Sequence, residues 1–432
     1  MTLDINLVRR QFPALHREAI FLDNPAGTQI AKQSIERINR YLVECNANHE
    51  GLFETSRKSD EVLHEAHAAM ADFLNAARPE EIIFGNNMTT LTLHISRSLA
   101  RNLQPGDNIL VTRLDHDANI SPWMLIAEDK GCNLIWVDID VEEGTLDLDD
   151  FARALERKPK IAAFGYASNL LGTINPVKKL TEMAHDADAL VYIDAVQYAP
   201  HGPIDVQDLD CDFLVCSSYK FFGPHAGALY GKYDLLNELK AYKVRPASDE
   251  LPYKFETGTQ NHEGIAGVLG ALEYFAWLGT EFGGDRTPNG AERRETADKQ
   301  SRSESAGYSG RRLVYKQAMS AIRSYELELS RTLIETIESV SGTRVYGITD
   351  INRLNERVPT VSFRLEGRDP AQLADAIGKQ GVYVWNGHNY ALAIVERMGL
   401  LEAGGMVRVG PVHYNTIAEI KTFGEVLKRV AK

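Results

Sequence analysis

Two apolar runs, Leu190-Val191-Tyr192-Ile193-Asp194 and Phe213-Leu214-Val215-Cys216-Ser217-Ser218-Tyr219-Lys220, each end on a charged side chain. Short runs rich in branched and aromatic residues read as buried strands. A carboxylate closing such a strand has ordinary readings as a structural cap or a metal ligand. The lysine is harder to explain structurally, because lysine is rarely buried and burial lowers its pKa. Working outward, strand-like runs occur at 81–84, 108–112, 133–137, 160–165, 189–194 and 212–216, with helical periodicity over 90–100, 149–155 and 177–187. This alternation implies an α/β fold with a mainly parallel sheet covered on both faces. Ligands of such sheets sit outside the carboxyl ends of the strands, where Asp194 and Lys220 both fall.

The chain has 432 residues, more than one simple core holds, so a large domain plus a smaller one is expected. The reading divides it into an N-terminal segment (1–20), a large domain (21–280), a polar insert (281–312) and a small α+β domain (313–432). The insert is marked by the Gly-, Arg-, Glu- and Ser-rich stretch Gly283–Arg311. Leu313–Val340 reads as a long amphipathic helix, Thr360–Leu365 as a strand, and Thr2–Gln11 as a helix packing with the small domain. A formal charge of −13, from 47 basic and 60 acidic residues, argues against a nucleic-acid or anionic-membrane partner. Cys45, Cys132, Cys211 and Cys216 are scattered without a CxxC pair, which fits reduced thiols in a cytoplasmic protein and no metal site. No run approaches the ~18 apolar residues of a membrane span.

Other polar residues mark further strand ends. Gly85-Asn86-Asn87-Met88-Thr89-Thr90 lies between a strand and a helix, where free amides and the Thr89 and Thr90 hydroxyls suit an anion. Taken alone, a threonine there is more often a simple helix cap. His116, after the 108–112 strand, offers a flat imidazole to stack on a ring. Asn169 and Gln197 can hydrogen-bond to a ring oxygen. One flat, phosphorylated ligand would use all of them. The lysine amine would condense with its aldehyde and the aspartate would keep its pyridine nitrogen protonated, so pyridoxal phosphate (PLP) is the expected cofactor.

At this point the chain resembles aminotransferase class V, the fold-type I PLP enzymes, and within it the cysteine desulfurase/selenocysteine lyase branch. The resemblance rests on Leu22-Asp23-Asn24-Pro25-Ala26, Asp115-His116-Asp117-Ala118-Asn119…Pro122-Trp123, Ser168-Asn169…Gly172, Asp194…Gln197, Ser217…Lys220…Gly223-Pro224, Glu256…Gly258-Thr259 and Arg408…Tyr414-Asn415. It implies a sheet of the seven-stranded type. It also implies that Lys220 binds the cofactor covalently and moves the α proton, with Asp194 on the ring nitrogen and His116 on the ring face. Gln197 and Asn169 would contact the ring oxygen or substrate, and Thr89, Thr90, Ser217 and Tyr219 would lie around the cofactor. Thr259 would reach the phosphate of a partner subunit, implying a homodimer with a shared active site. Arg408 would grip the substrate carboxylate, with Asn24, His388 and Tyr390 nearby.

The pattern departs from that branch in one decisive place. Desulfurases carry a nucleophilic cysteine in a small-domain loop, and the corresponding stretch is Trp385-Asn386-Gly387-His388-Asn389-Tyr390-Ala391. Tyr219 also replaces the histidine usual before the lysine. The expectation is therefore an enzyme acting on a small amino acid through loss of its α proton, of the β-elimination (C–S lyase) type, without an enzyme persulfide. Transamination and epimerisation use the same residues and remain open. A catalytically degenerate PLP-binding regulator is disfavoured by the complete set Lys220, Asp194, His116 and Arg408. A dinucleotide-binding dehydrogenase is disfavoured because no GxGxxG follows an early strand.

Overall fold

The computed structural model describes residues 3–283 and 307–432. The larger sheet has seven strands: β1 (Ile82–Gly85), β2 (Asn108–Thr112), β3 (Asn133–Val137), β4 (Ile161–Gly165), β5 (Leu190–Asp194), β6 (Phe213–Ser217) and β7 (Gly227–Gly231). Their spatial order is β1-β7-β6-β5-β4-β2-β3. The ladders joining β3, β2, β4, β5 and β6 are parallel, whereas β7 runs antiparallel to both β6 and β1.

Successive residues of a strand point to opposite faces, and here both faces are covered. Ala162, Phe164, Val191, Ile193 and Leu214 belong to one apolar cluster, while Ile161, Ala163, Tyr192, Phe213 and Val215 belong to another on the opposite face. That two-sided burial is why the strands read as unbroken apolar runs. In register, Asp194 pairs with Val215, so β5 ends two residues before β6 does. The aspartate and the turn after β6 consequently open at the same edge of the sheet.

A second sheet contains β8 (Thr343–Tyr346), β9 (Val361–Leu365), β10 (Trp385–Gly387) and β11 (Met406–Val409) in the order β8-β9-β11-β10, all antiparallel. Its core includes Leu329, Leu333 and Ile337 from the helix Gly310–Glu338, and Ile420, Phe423 and Leu427 from the helix Ile417–Val430. Thr416 and Glu419 form a reciprocal capping box at the start of the latter. A short N-terminal strand, Ile20–Phe21, pairs in parallel with Val382–Tyr383. The chain then crosses back toward the larger sheet.

Several elements differ from the sequence reading. The helix expected over 2–11 is the five-residue Ile5–Arg9, started by Asp4, whose carboxylate accepts from the Leu7 amide at 3.1 Å. It sits on the seam between the sheets: Phe12 packs on Phe222 and Tyr274 as well as on Tyr414, while Arg9 pairs with Glu419. Strand β7 carried no alternating or branched signature, because glycines bracket it. At Gly227 a Cβ would come within 2.5 Å of the Asn87 backbone, so only glycine lets this strand approach the loop after β1. The polar stretch Gly283–Arg311 corresponds mainly to residues 284–306, which lie outside the described residues. Among the described residues, no helix is long and apolar enough to cross a membrane.

Candidate active site

Asp194 and Lys220 face one cleft because β5 and β6 are neighbours. Asp194 is buried, and its Oδ1 accepts from the Val196 amide at 2.9 Å. Burial raises its pKa to about 6, opposed by that amide and by the Lys220 charge. After β6 the chain makes one tight turn, Ser218–Lys220, closed by the Phe221 amide on the Ser218 carbonyl. This turn projects Lys220 inward, where its Nζ donates to the Pro25 carbonyl. Burial, then the nearby Arg408 charge, lower the Lys220 pKa to about 7, with Asp194 acting the other way. At neutral pH the pair is therefore an anionic carboxylate and an amine that is substantially neutral.

Arg408 enters from the second sheet, on β11. It is 4% exposed; its Nη1 donates to the Asn169 carbonyl at 2.9 Å, while its Nε has no partner among the described residues. Burial lowers its pKa to about 9, so it remains a cation at neutral pH. Asn169 donates to the Asn389 carbonyl at 2.8 Å, and the Asp117 amide donates to the Tyr390 carbonyl at 2.6 Å. These bonds clamp the loop after β10 onto the larger sheet. Asn389 and Tyr390 both have left-handed backbones, φ 52° and 58°, a conformation in which a tyrosine is strained. The Tyr390 ring lies over His116, with centroids 5.6 Å apart and planes 19° from parallel. His116 accepts from the Ala118 amide at Nδ1, and burial holds its pKa at about 3, so the imidazole is neutral.

Together these residues line a chamber of about 610 Å³ that includes Thr89, His116, Asn169, Tyr219, Lys220, Tyr390 and Arg408. Beneath it lies a cleft of about 40 Å³ that includes Asp194, Gln197 and Asp115. At the rim, the helix Met88–Leu99 is capped by Asn87, whose Oδ1 accepts from the Thr90 amide at 2.9 Å. Ser217 Oγ accepts from the Met88 amide at 2.9 Å, tying the loop after β1 to the end of β6.

Other residues singled out in the sequence are placed away from these walls. Thr90 turns its hydroxyl back onto the Asn87 carbonyl, and one step of helical rotation leaves Thr89 facing the chamber instead. Asn24, expected near the substrate, is spent structurally: its amide donates to the Phe21 and Gly410 carbonyls and to Asn415, and its oxygen accepts from Tyr414. It pins the strap that carries Pro25 over Lys220. His388 is exposed and accepts from the Tyr390 amide at 3.1 Å, so it shapes the loop and does not line the chamber. Thr259 is exposed and lies outside the chamber of its own chain.

Other members were not singled out as site residues. Asp115 is buried beside Asp194, hydrogen-bonded by Thr112 Oγ1 at 3.0 Å, and its pKa is raised well above the usual carboxylate range by burial and by Asp194. Both effects bias Asp115 toward its protonated form beside Asp194. Gly165 makes room for it, since a Cβ there would meet Asp115 Oδ1 at 2.4 Å. The aspartate belongs to the quoted Asp115-His116-Asp117 run, which was its only signal. His225 stacks on Tyr219 at 5.1 Å, so an imidazole does adjoin the position before the lysine.

These residues fit PLP. Asn169 Oδ1, Gln197 Oε1, Asn389 Oδ1 and Arg408 Nε are buried around the two cavities without hydrogen-bond partners among the described residues, and buried polar groups are rarely left unpaired. Lys220 would hold the aldehyde carbon, Asp194 the ring nitrogen and the loop at Thr89 the phosphate. The lysine pKa makes this testable. An amine attacks an aldehyde only when neutral, and the lowered pKa gives Lys220 about 10³ times more neutral amine at pH 7 than an ordinary lysine. The second-order rate of PLP capture by cofactor-free protein should therefore rise about tenfold per pH unit below 7 and level off above it. A rate still climbing to pH 10, followed by stopped-flow absorbance, would show that Lys220 titrates as an exposed lysine.

Comparisons with known proteins agree with this geometry. The aminotransferase class-V pattern matches residues 20–287 and 309–423. A cysteine desulfurase of Synechococcus elongatus is 31% identical over 446 residues, covering 99% of this chain and 64% of that protein. This chain thus spans somewhat less than two thirds of that relative's length. The aminotransferase-like protein FGM3 of Gibberella zeae is 31% identical over 430 residues, covering 97% of this chain and 96% of its own. The apo structure of a cysteine desulfurase from Thermococcus onnurineus superimposes with a TM-score of 0.85 at 25% identity, covering 100% of this chain and 98% of that one. With sheet, lysine turn and carboxylate arranged as described, the chain belongs to the aminotransferase class-V family of PLP-dependent enzymes, in its cysteine desulfurase-like branch.

Proposed function

We propose that this enzyme removes the α proton of an amino acid and expels its β substituent, releasing sulfur as a small molecule when the substituent is a thiol or thioether. Bound PLP supplies the electron sink that makes the α proton acidic. The Lys220 amine, whose pKa burial lowers to about 7, is the base that would take that proton. The Asp194 carboxylate would hold a proton on the ring nitrogen, and burial biases the neighbouring Asp115 toward its protonated form. Arg408 binds the α-carboxylate through its unpartnered Nε edge, orienting the α carbon toward Lys220.

The observation that carries the elimination reading is the position of the thiols. Cys45, Cys211 and Cys216 are buried elsewhere, Cys132 lies partly buried on another surface, and none lines the chamber or the cleft. Burial raises the pKa of Cys211 and Cys216 well above the ordinary thiol range, so neither is a ready nucleophile. An enzyme persulfide needs a thiolate beside the leaving group, and Tyr390 stands in that loop instead. Replacing all four cysteines by alanine should leave turnover within about tenfold, the scale of a ~1.4 kcal/mol packing effect. Pyruvate and ammonia released from a thioether substrate, with no persulfide trapped on the enzyme, would support the reading. Loss of all activity in a folded, PLP-loaded single-cysteine variant would reject it.

The same proposal includes a two-domain division, the second sheet closing over the first, and a homodimer. Thr259 follows Glu256, which is anchored inside the chain by His67 and by the Phe84 amide. Thr259 itself is exposed, and this exposure supports a role toward a second copy's phosphate. Thr259→Ala should weaken PLP retention without changing the fold, measured by dialysis and circular dichroism.

A further inference from the structure

The chamber continues beyond the groups that cofactor and α-carboxylate require. Its outer wall is formed by Leu93 on the helix Met88–Leu99, Ala118 and Pro122 after β2, Leu125 on the helix Ser121–Lys130, Trp385 on β10 and Tyr390. Two polar neighbours on this side satisfy each other, since Ser121 Oγ donates to Asp117 Oδ2 at 2.5 Å. Apart from that hydrogen-bonded pair, the residues named on this side are apolar and aromatic. Leu125, Trp385 and Tyr390 are also 50%, 51% and 70% exposed, so an apolar group lying against them would remove their surface from water. A one-carbon side chain would leave this wall uncovered.

We propose that this wall selects α-amino acids carrying a bulky apolar or aromatic side chain, which lies against Leu93, Leu125, Trp385 and Tyr390. The inference rests on the reading that Arg408 receives the carboxylate and Lys220 faces the α carbon, for these two fix the direction in which the side chain points. It replaces the small amino acid expected from the sequence. In an elimination, the departing group would be a thiol still bearing the apolar substituent: the Cα–H and Cβ–S bonds break, the thiol leaves with a proton, and water converts the remaining fragment to pyruvate and ammonia.

The test uses the PLP-loaded enzyme and two independent readouts. Titration calorimetry and the visible absorption band should show phenylalanine and leucine binding at least about tenfold more tightly than alanine and serine, the scale of a methylene group or two in an apolar pocket. Trp385→Ala should remove about tenfold of that advantage while changing alanine binding by less than about threefold. Equal affinity for phenylalanine and alanine, or an equal loss for both in Trp385→Ala, would overturn the inference. Pyruvate release from S-benzylcysteine is measured separately. If phenylalanine binds preferentially but no pyruvate forms, the elimination reading fails and the side-chain selectivity stands. Pyruvate formed from both cysteine and S-benzylcysteine, with phenylalanine and alanine bound equally well, would leave elimination standing and reject the selectivity.

Discussion

Lys220→Ala is expected to lose the borohydride-reducible visible band and to lower turnover by at least about 10³-fold. The loss combines removal of the positioned base with removal of the only amine that lines the cleft among the described residues. The variant should still fold, because Lys220 ends a tight turn held by backbone bonds from Ser218 to Phe221 and Ala226. It should also stabilise its surroundings slightly, since a buried amine disfavoured as a cation is removed. Thermal unfolding and an absorbance spectrum of the same sample separate these effects. A retained band with retained turnover would mean that another group carries the chemistry.

Arg408→Ala is expected to lower kcat/KM by about 2–4 kcal/mol, roughly 30- to 1,000-fold, the loss for a buried charge-assisted contact. The visible band should persist, because Arg408 lines the chamber while Asp194 lies in the cleft beneath, which Arg408 does not line. A substrate analogue without the carboxylate should be nearly indifferent to the change. Rates unchanged for α-carboxylate substrates would remove Arg408 from the substrate site. Loss of the band instead would assign it to the cofactor.

The central sheet was legible because its strands are buried on both faces, so β2 to β6 appear as short apolar runs with polar residues at their ends. Asp194 and Lys220 stood out for the same reason: a charge at the end of such a run has few neutral explanations. Strand β7 was not legible, since Gly227-Ala228-Leu229-Tyr230-Gly231 takes its place from close approach to Asn87 and not from its own propensity.

Side-chain direction was the harder part. Thr89 and Thr90 are adjacent in sequence, yet only the turn of the helix decides which hydroxyl faces the chamber. Asn24 lies in a run that resembles the family, but its four hydrogen bonds are set by partners some 390 residues away and close to home, which no local pattern reveals. The outer wall joins Leu93, Leu125 and Trp385 from three separate elements, so its apolar character exists only in the folded chain. The left-handed Asn389-Tyr390 pair likewise depends on the Asp117 amide clamp.

The most direct test of the account is borohydride reduction of the PLP-loaded enzyme, followed by proteolysis and mass mapping of the modified peptide. The account predicts one pyridoxyl group per chain, on Lys220 within the peptide that also contains Ser217 and Tyr219. A pyridoxyl group on another lysine, such as the buried Lys254 or Lys316, or no covalent label in a protein that turns over amino acids, would contradict it.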